Sequence, residues 1–161
     1  MDPDLTLRRK YALKAHGRTV VLTKMAYEKH SHVMMKAFLW ALYLPEYPDM
    51  LLERFVDDRY KPDVVVVDDL GTSRFWGEAG RLGLNKIRSL IIRYRTTHFA
   101  IAKWNQSLDA YAKAFKDAVA GLKRTRPIDL IHFSEDSPER FIDSDGEIHI
   151  SHSDVKWTRI L

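Results

Sequence analysis

Lys61-Pro62-Asp63-Val64-Val65-Val66-Val67 and, after a short turn, Trp76-Gly77-Glu78-Ala79-Gly80 decide how this chain is read. Four consecutive valines show no alternation, the mark of a strand covered on both faces. Gly71 supplies a turn, and Arg74 to Glu78 makes the return strand. If the two strands pair antiparallel about Leu70-Gly71, residues whose numbers sum to 141 face each other, so Asp69 opposes Thr72 and Asp63 opposes Glu78. Directly opposed residues share a face with Cβ atoms about 5 Å apart. Two carboxylates that close repel unless a cation lies between them, and hard oxygen ligands of this kind suit Mg²⁺ or Mn²⁺.

The neighbours separate this pair from an ordinary hairpin pair. Gly77 and Gly80 flank Glu78-Ala79, and glycine in a strand marks close approach by backbone or ligand. A helix follows, with Leu84, Ile87, Leu90, Ile91 and Tyr94 at helical spacing. Lys86, Ser89 and Arg93 share one face of it, while Leu84, Ile87 and Ile91 point to the core. Arg81, Lys86, Arg88, Arg93 and Arg95 fall within one acid-free stretch, which suits a phosphate backbone. The plainer alternative is a solvated charged face, and Arg88 and Arg95 fit that as well.

Working outward, Leu5 to Lys24 reads as two strands turning at His16-Gly17. Ser31 is placed to cap a helix running to about Leu44, where Pro45 stops it. Val33, Met34, Phe38, Leu39, Trp40, Leu42 and Tyr43 lie nearly all round that helix, so most of its sides should be buried. Leu52 to Val56 is a short strand candidate, followed by a turn at Asp57-Asp58-Arg59. Beyond the basic helix come a strand at Phe99 to Ala102 and an amphipathic helix from Leu108 to Leu122 capped by Ser107. Strands at Ile128 to Phe133 and Glu147 to Ile150 flank a Ser-Asp-Pro-rich loop. The predicted fold class is α/β (α+β), a mixed sheet flanked by helices with a helix-strand-strand-strand-helix-strand core, and residues 1–161 are expected to form a single domain.

Composition narrows the function classes. The 161 residues are 45% hydrophobic and 30% charged, as in ordinary globular proteins. With no cysteine, disulfides and thiolate chemistry are excluded. The charged start resembles no signal peptide, and the longest apolar run, Ala37 to Leu44, is too short for a membrane span, so a cytoplasmic protein is expected. The formal charge of +4 favours a polyanionic partner. No Gly-rich phosphate loop, dinucleotide fingerprint or Ser/His/Asp constellation stands out, so no dinucleotide cofactor is expected. His149, His152 and Asp154 do not suit a metal site, because strand residues three apart face opposite sides. Asp68 and Asp69 belong to the turn. The valine run ending in Asp68-Asp69 also looks like a receiver-domain phosphoacceptor strand, but a receiver's regular strand-helix alternation is missing.

Pro62-Asp63, a gap of fourteen residues, then Glu78-Ala79-Gly80 resembles the PD-(D/E)XK (restriction-endonuclease-like) nuclease superfamily. The resemblance implies that Asp63 and Glu78 bind Mg²⁺ or Mn²⁺ together with the backbone carbonyl of Ala79. The superfamily's lysine would stand at position 80, where this chain has Gly80, and Lys86 on the next helix is the implied substitute. A closer resemblance is to the YaeQ family, bacterial proteins with this nuclease-like fold. It rests on Lys29-His30-Ser31 before Met34-Met35, on Trp76 to Gly80 with Lys86-Ile87-Arg88, and on Asp145-Gly146-Glu147-Ile148 followed by Trp157. In such folds the first helix often adds a glutamate, and His32 takes that place here. The implied function is metal-dependent phosphodiester hydrolysis by Asp63, Glu78 and Lys86, with nucleic acid held by Arg81, Lys86 and Arg93. Gly80 and His32 favour the alternative, a nucleic-acid- or protein-binding module that keeps the fold without a working site.

Overall fold

The computed structural model describes residues 3–80 and 82–161. A short helix α1 (Pro3–Thr6) precedes a hairpin of β1 (Arg9–Ala15) and β2 (Arg18–Lys24), turning at His16-Gly17 as expected. Helix α2 (His30–Tyr43) follows, with nearly every side chain buried. Ser31 does not cap it. The chain enters the helix two residues earlier, at the N-cap Lys29, whose carbonyl accepts from the amides of His32 and Val33.

Next come β3 (Leu51–Leu52), β4 (Val64–Val67), β5 (Ser73–Ala79), α3 (Leu84–Arg93), β6 (His98–Trp104), α4 (Asp109–Val119) and β7 (Ile128–Phe133). A one-turn helix α5 (Ser137–Phe141), a 3-10 turn at His152–Asp154 and β8 (Lys156–Ile160) complete the chain. The six strands β3 to β8 lie side by side in chain order. Strands β5, β6 and β7 run parallel, and the pairs β3–β4, β4–β5 and β7–β8 are antiparallel.

Alternation along the strands divides the interior. Phe75, Ala79, Ala100, Ala102, Ile131 and Phe133 meet α2 on one face. Trp76, Phe99, Ile101 and Leu130 meet Ile87, Leu90 and Ile91 of α3 and Phe115 of α4 on the other. With both faces covered, the central strands carry unbroken apolar runs, which is why the valine run could be recognised. Fully burying one such large side chain contributes roughly 1.5–3 kcal/mol.

Three expectations need correction. The strand predicted from Leu52 to Val56 stops at Leu52, because Glu53 adopts a left-handed backbone with φ of 54° and sends its carboxylate to Lys36. Glu147 to Ile150 forms only isolated bridges to Lys14 and Ile142. There the Asp143 carboxylate accepts from the amides of Asp145 and Glu147 and holds a local turn instead. The last strand is Lys156–Ile160, an edge strand whose exposed Lys156 and Arg159 disguise it in sequence. Ser107 is a partial cap: its hydroxyl accepts from the amide of Asp109, one residue past the N-cap position held by Leu108.

This topology gives the sheet two unlike ends. The carboxyl ends of parallel β5, β6 and β7 lie beside the starts of antiparallel β4 and β8. In open α/β sheets ligands bind at such carboxyl ends.

Candidate active site

The β4–β5 register pairs Val64 with Gly77, Val65 with Trp76 and Val66 with Phe75. At the turn it is offset by one, since Asp68 donates to the Thr72 carbonyl and a bulge lies between Val66 and Val67. The bulge cancels the offset, so Asp63 and Glu78 come together at the far end. Gly77 is required there because a Cβ would collide with Val64. Asp63 sits one residue before β4, its amide donating to the Gly77 carbonyl and its carbonyl accepting from the Glu53 amide. Its Oδ2 accepts from the Ala79 amide at 2.8 Å, which fixes the carboxylate against β5.

Glu78 is only 4% exposed, and its Oε1 accepts from the Trp76 indole at 2.8 Å. Burial pushes its carboxyl up to about 9, and the Asp63 charge adds to the effect. Two carboxyl groups set together favour either a protonated partner or a cation between them.

His32 on α2 joins this cluster. Its Nδ1 lies 2.6 Å from Glu28 Oε2, and its Nε2 faces Asp63 Oδ1 at 3.3 Å. Lys36, one turn on, pairs with the same Glu28 oxygen at 2.9 Å and also with Glu53. Burial alone would raise the Glu28 carboxyl, but the Met25 amide, Lys36 and His32 outweigh it and bring it down to about 2. Sequence reasoning missed Glu28 and Lys36. Their spacing with His32, four residues each way, was the available signal.

The cation nearest the pair in charge terms is Lys103, not Lys86. Lys103 is 2% exposed near the end of β6, its ammonium 4.3 Å over the Tyr111 ring, and its charge draws the Glu78 carboxyl downward. Lys86 is exposed, with its ammonium 5.8 Å over Tyr60 and no hydrogen bond or ion pair to the carboxyl groups. Arg93 does share the Ser89 face, but its guanidinium is paired with Asp58 at 2.7 Å. Arg81 lies outside the described residues. Position 80 disfavours the lysine expected from the superfamily pattern. Gly80 has φ of +78°, and a Cβ there would stand 2.7 Å from Met35 Cε.

The donor set matches a cation held by two carboxylates. Among the described residues no group of three His, Asp or Glu converges on one point. Mg²⁺ accepts one or two carboxylates and keeps several waters, so the groups that could hold it are Asp63, Glu78 and the Ala79 carbonyl. His32, Ala79 and Gly80 also line an open cleft of about 450 Å³ beside the pair.

The opposite end of the sheet holds a different carboxylate, which the sequence reading did not single out. Asp129 at the start of β7 accepts from Tyr43 (2.7 Å), His98 (2.7 Å) and Arg159 (2.7 and 3.0 Å). Burial would raise it, but these hydrogen bonds bring it down to about 2.

No helix among the described residues is long and apolar enough to cross a membrane. No family sequence model and no curated protein sequence matches the chain. Solved structures do match in fold. The YaeQ protein from Xanthomonas axonopodis pv. citri superposes with a TM-score of 0.53 at 17% identity, over 83% of this chain and 76% of that one. The YaeQ protein from Pseudomonas syringae gives 0.55 at 15% identity, over 86% and 78%. At such identities the likeness shows fold alone, and the α+β architecture described above, a mixed six-stranded sheet flanked by helices, is that of the YaeQ structures.

Proposed function

We propose that this chain is a metal-dependent phosphodiesterase of the PD-(D/E)XK type, acting on nucleic acid. The observation that carries the reading is the meeting of partly buried Asp63 and buried Glu78, each fixed by a hydrogen bond, at the carboxyl end of the parallel strands. The helix-strand-strand-strand-helix-strand order from α2 to β6 supports it, as does the YaeQ-like fold.

Asp63, Glu78 and the Ala79 carbonyl would hold Mg²⁺ or Mn²⁺. When bound, the ion would lower the pKa of water and neutralise charge building on a phosphate. The chain's own groups do the rest. The Ala79 amide fixes Asp63 and the Trp76 indole fixes Glu78, so neither carboxylate must be ordered on binding. Glu78 must give up its proton to ligate, and the nearby charge of Lys103 favours that loss. Lys103 thus takes over, through the neighbouring strand, the cationic part that Gly80 cannot supply. On α3, Lys86 and Arg88 remain available as exposed phosphate contacts.

The test is hydrolysis of mixed DNA and RNA substrates with Mn²⁺ or Mg²⁺, wild type beside Glu78→Gln and Asp63→Asn. Cleavage by wild type, reduced at least about 100-fold in either variant, is expected. One observation favours the second reading, a binding module without catalysis: His32 and the Ala79 amide already occupy both Asp63 oxygens. Wild type that binds oligonucleotides yet never cleaves them would establish that reading instead.

A further inference from the structure

At the carboxyl end of the sheet, basic residues stand in a row that leads away from the carboxyl pair. Buried Lys103 on β6 is in register with His132 on β7, and His132 with Lys156 on β8; of these, His132 and Lys156 reach the clefts. Three clefts follow the same course. The first, lined by His32, Ala79 and Gly80 next to the carboxyl pair, shares Gln106 with a second of about 530 Å³, lined by Lys116 of α4 and by Trp157. The second shares His132 and Lys156 with a third of about 390 Å³ that ends at Arg140. Lys29, Lys116, Lys156 and Arg140 border this run, against two carboxylates, Asp109 and Asp154. Asp154 is engaged locally, its Oδ2 accepting from the Ser151 amide at 2.8 Å.

Tryptophans mark the run as well. Trp104 lines the first cleft, half-buried. Trp157 lines the second and is 37% exposed, with the His152 ring 4.5 Å from its own and Arg159 5.4 Å from its centre. Positive charge along a groove, with aromatic faces spaced along it, suits a strand whose bases are unpaired and free to stack. Duplex bases are already stacked and offer no such face.

We infer that the clefts joined through Gln106, His132 and Lys156 form one track for a single-stranded nucleic acid, running from Arg140 to the Asp63–Glu78 centre. This deepens the proposed activity and rests on it for the role of that centre. It moves the main backbone contacts from α3 to β8 and α4. Lys116 and Lys156 hold the phosphates, Trp157 stacks a base, and Gln106 lies where the strand passes into the first cleft.

The experiment measures anisotropy of a labelled single-stranded oligonucleotide bound to the full chain in EDTA, across salt concentrations. Lys116 and Lys156 are exposed, so Lys116→Ala/Lys156→Ala should keep the wild-type melting temperature. That double variant is expected to bind about tenfold or more weakly, with a log–log salt slope lower by about one unit or more. Trp157→Leu should weaken binding with the slope unchanged, and a duplex of the same sequence should bind less well than the single strand. Wild-type affinity and slope in the double variant would overturn the track, as would a preference for duplex. So would a larger loss from Lys86→Ala/Arg93→Ala, which would return the contacts to α3. Binding is read without metal, so it is separate from catalysis. Expected binding with no cleavage removes the phosphodiesterase and leaves the track, whereas cleavage with unaltered binding in the double variant does the reverse.

Discussion

The two ends of the six-stranded sheet each bury a carboxylate, one fully satisfied and one set against its own kind. Asp129 receives hydrogen bonds from a tyrosine, a histidine and both reaches of an arginine, and it stays ionised. Glu78 receives one indole hydrogen bond and faces Asp63, so its carboxyl is pushed up to about 9. The first arrangement stabilises the fold. The second sets two carboxyl groups together, and strain of that kind is expected where chemistry is done.

The contrast is sharpest in pH. Folded Glu78 binds a proton more tightly than the unfolded chain does, with its pKa raised from 4.5 to about 9. Its stabilising contribution is complete below pH 4.5 and is lost as pH rises towards 9. Asp129 is depressed from 3.8 to about 2, so its contribution is present above pH 3.8 and is lost as pH falls through about 2. One end of the sheet therefore weakens the protein in acid and the other in alkali.

The largest effect expected is at the satisfied end. Asp129→Asn weakens the charge-assisted hydrogen bonds from buried Tyr43 and His98 and from exposed Arg159, and urea unfolding at pH 7 should show a loss of about 2–3 kcal/mol. A loss under about 1 kcal/mol would remove the contrast. At the other end, Glu78→Gln keeps an acceptor for the Trp76 indole and gives Asp63 a permanent donor. Stability at pH 8 should then rise by at least about 1.4 kcal/mol, the worth of one pK unit. Its decline between pH 4.5 and 9 should flatten. A destabilisation as large as that of Asp129→Asn would make the two ends alike.

Lys103→Met tests the electrostatic link between β6 and the pair. Without that ammonium the Glu78 carboxyl rises further, so the alkaline decline should move up by as much as about one pH unit in thermal-melt profiles. An unmoved profile would detach Lys103 from the site. The smallest effects belong to α3. Arg93→Ala breaks a half-exposed pair with Asp58 and should cost about 1 kcal/mol at most. Lys86→Ala should stay within about 0.5 kcal/mol.

The valine run, Gly71 and the sum rule led to the Asp63–Glu78 pairing from sequence, because a strand covered on both faces leaves a plain apolar signal. The tightened turn and compensating bulge were hidden, since they cancel before Asp63. His32 was placed near the pair by its position on the first helix. Glu28 and Lys36 were not, because buried charges look like surface charges until their partners are known. Lys103 escaped for another reason: it reaches Glu78 across a parallel neighbour twenty-five residues away in sequence, a contact no local pattern encodes. Strand β8 went unread because an edge strand with Lys156 and Arg159 reads as a polar tail. The Asp129 cluster draws on α2, β6, β7 and β8, and only the fold assembles it.

Titration calorimetry with Mn²⁺ at pH 7, in two buffers of different protonation enthalpy, bears most directly on the carboxyl pair. If Asp63 and Glu78 hold a proton that a cation displaces, wild type should release about one proton per ion bound, and Glu78→Gln should release none. Asp63→Asn and Glu78→Gln should each bind the ion far more weakly while melting as folded proteins. Equal affinity in wild type and both variants, with no proton released, would contradict the assignment of this pair as the metal centre.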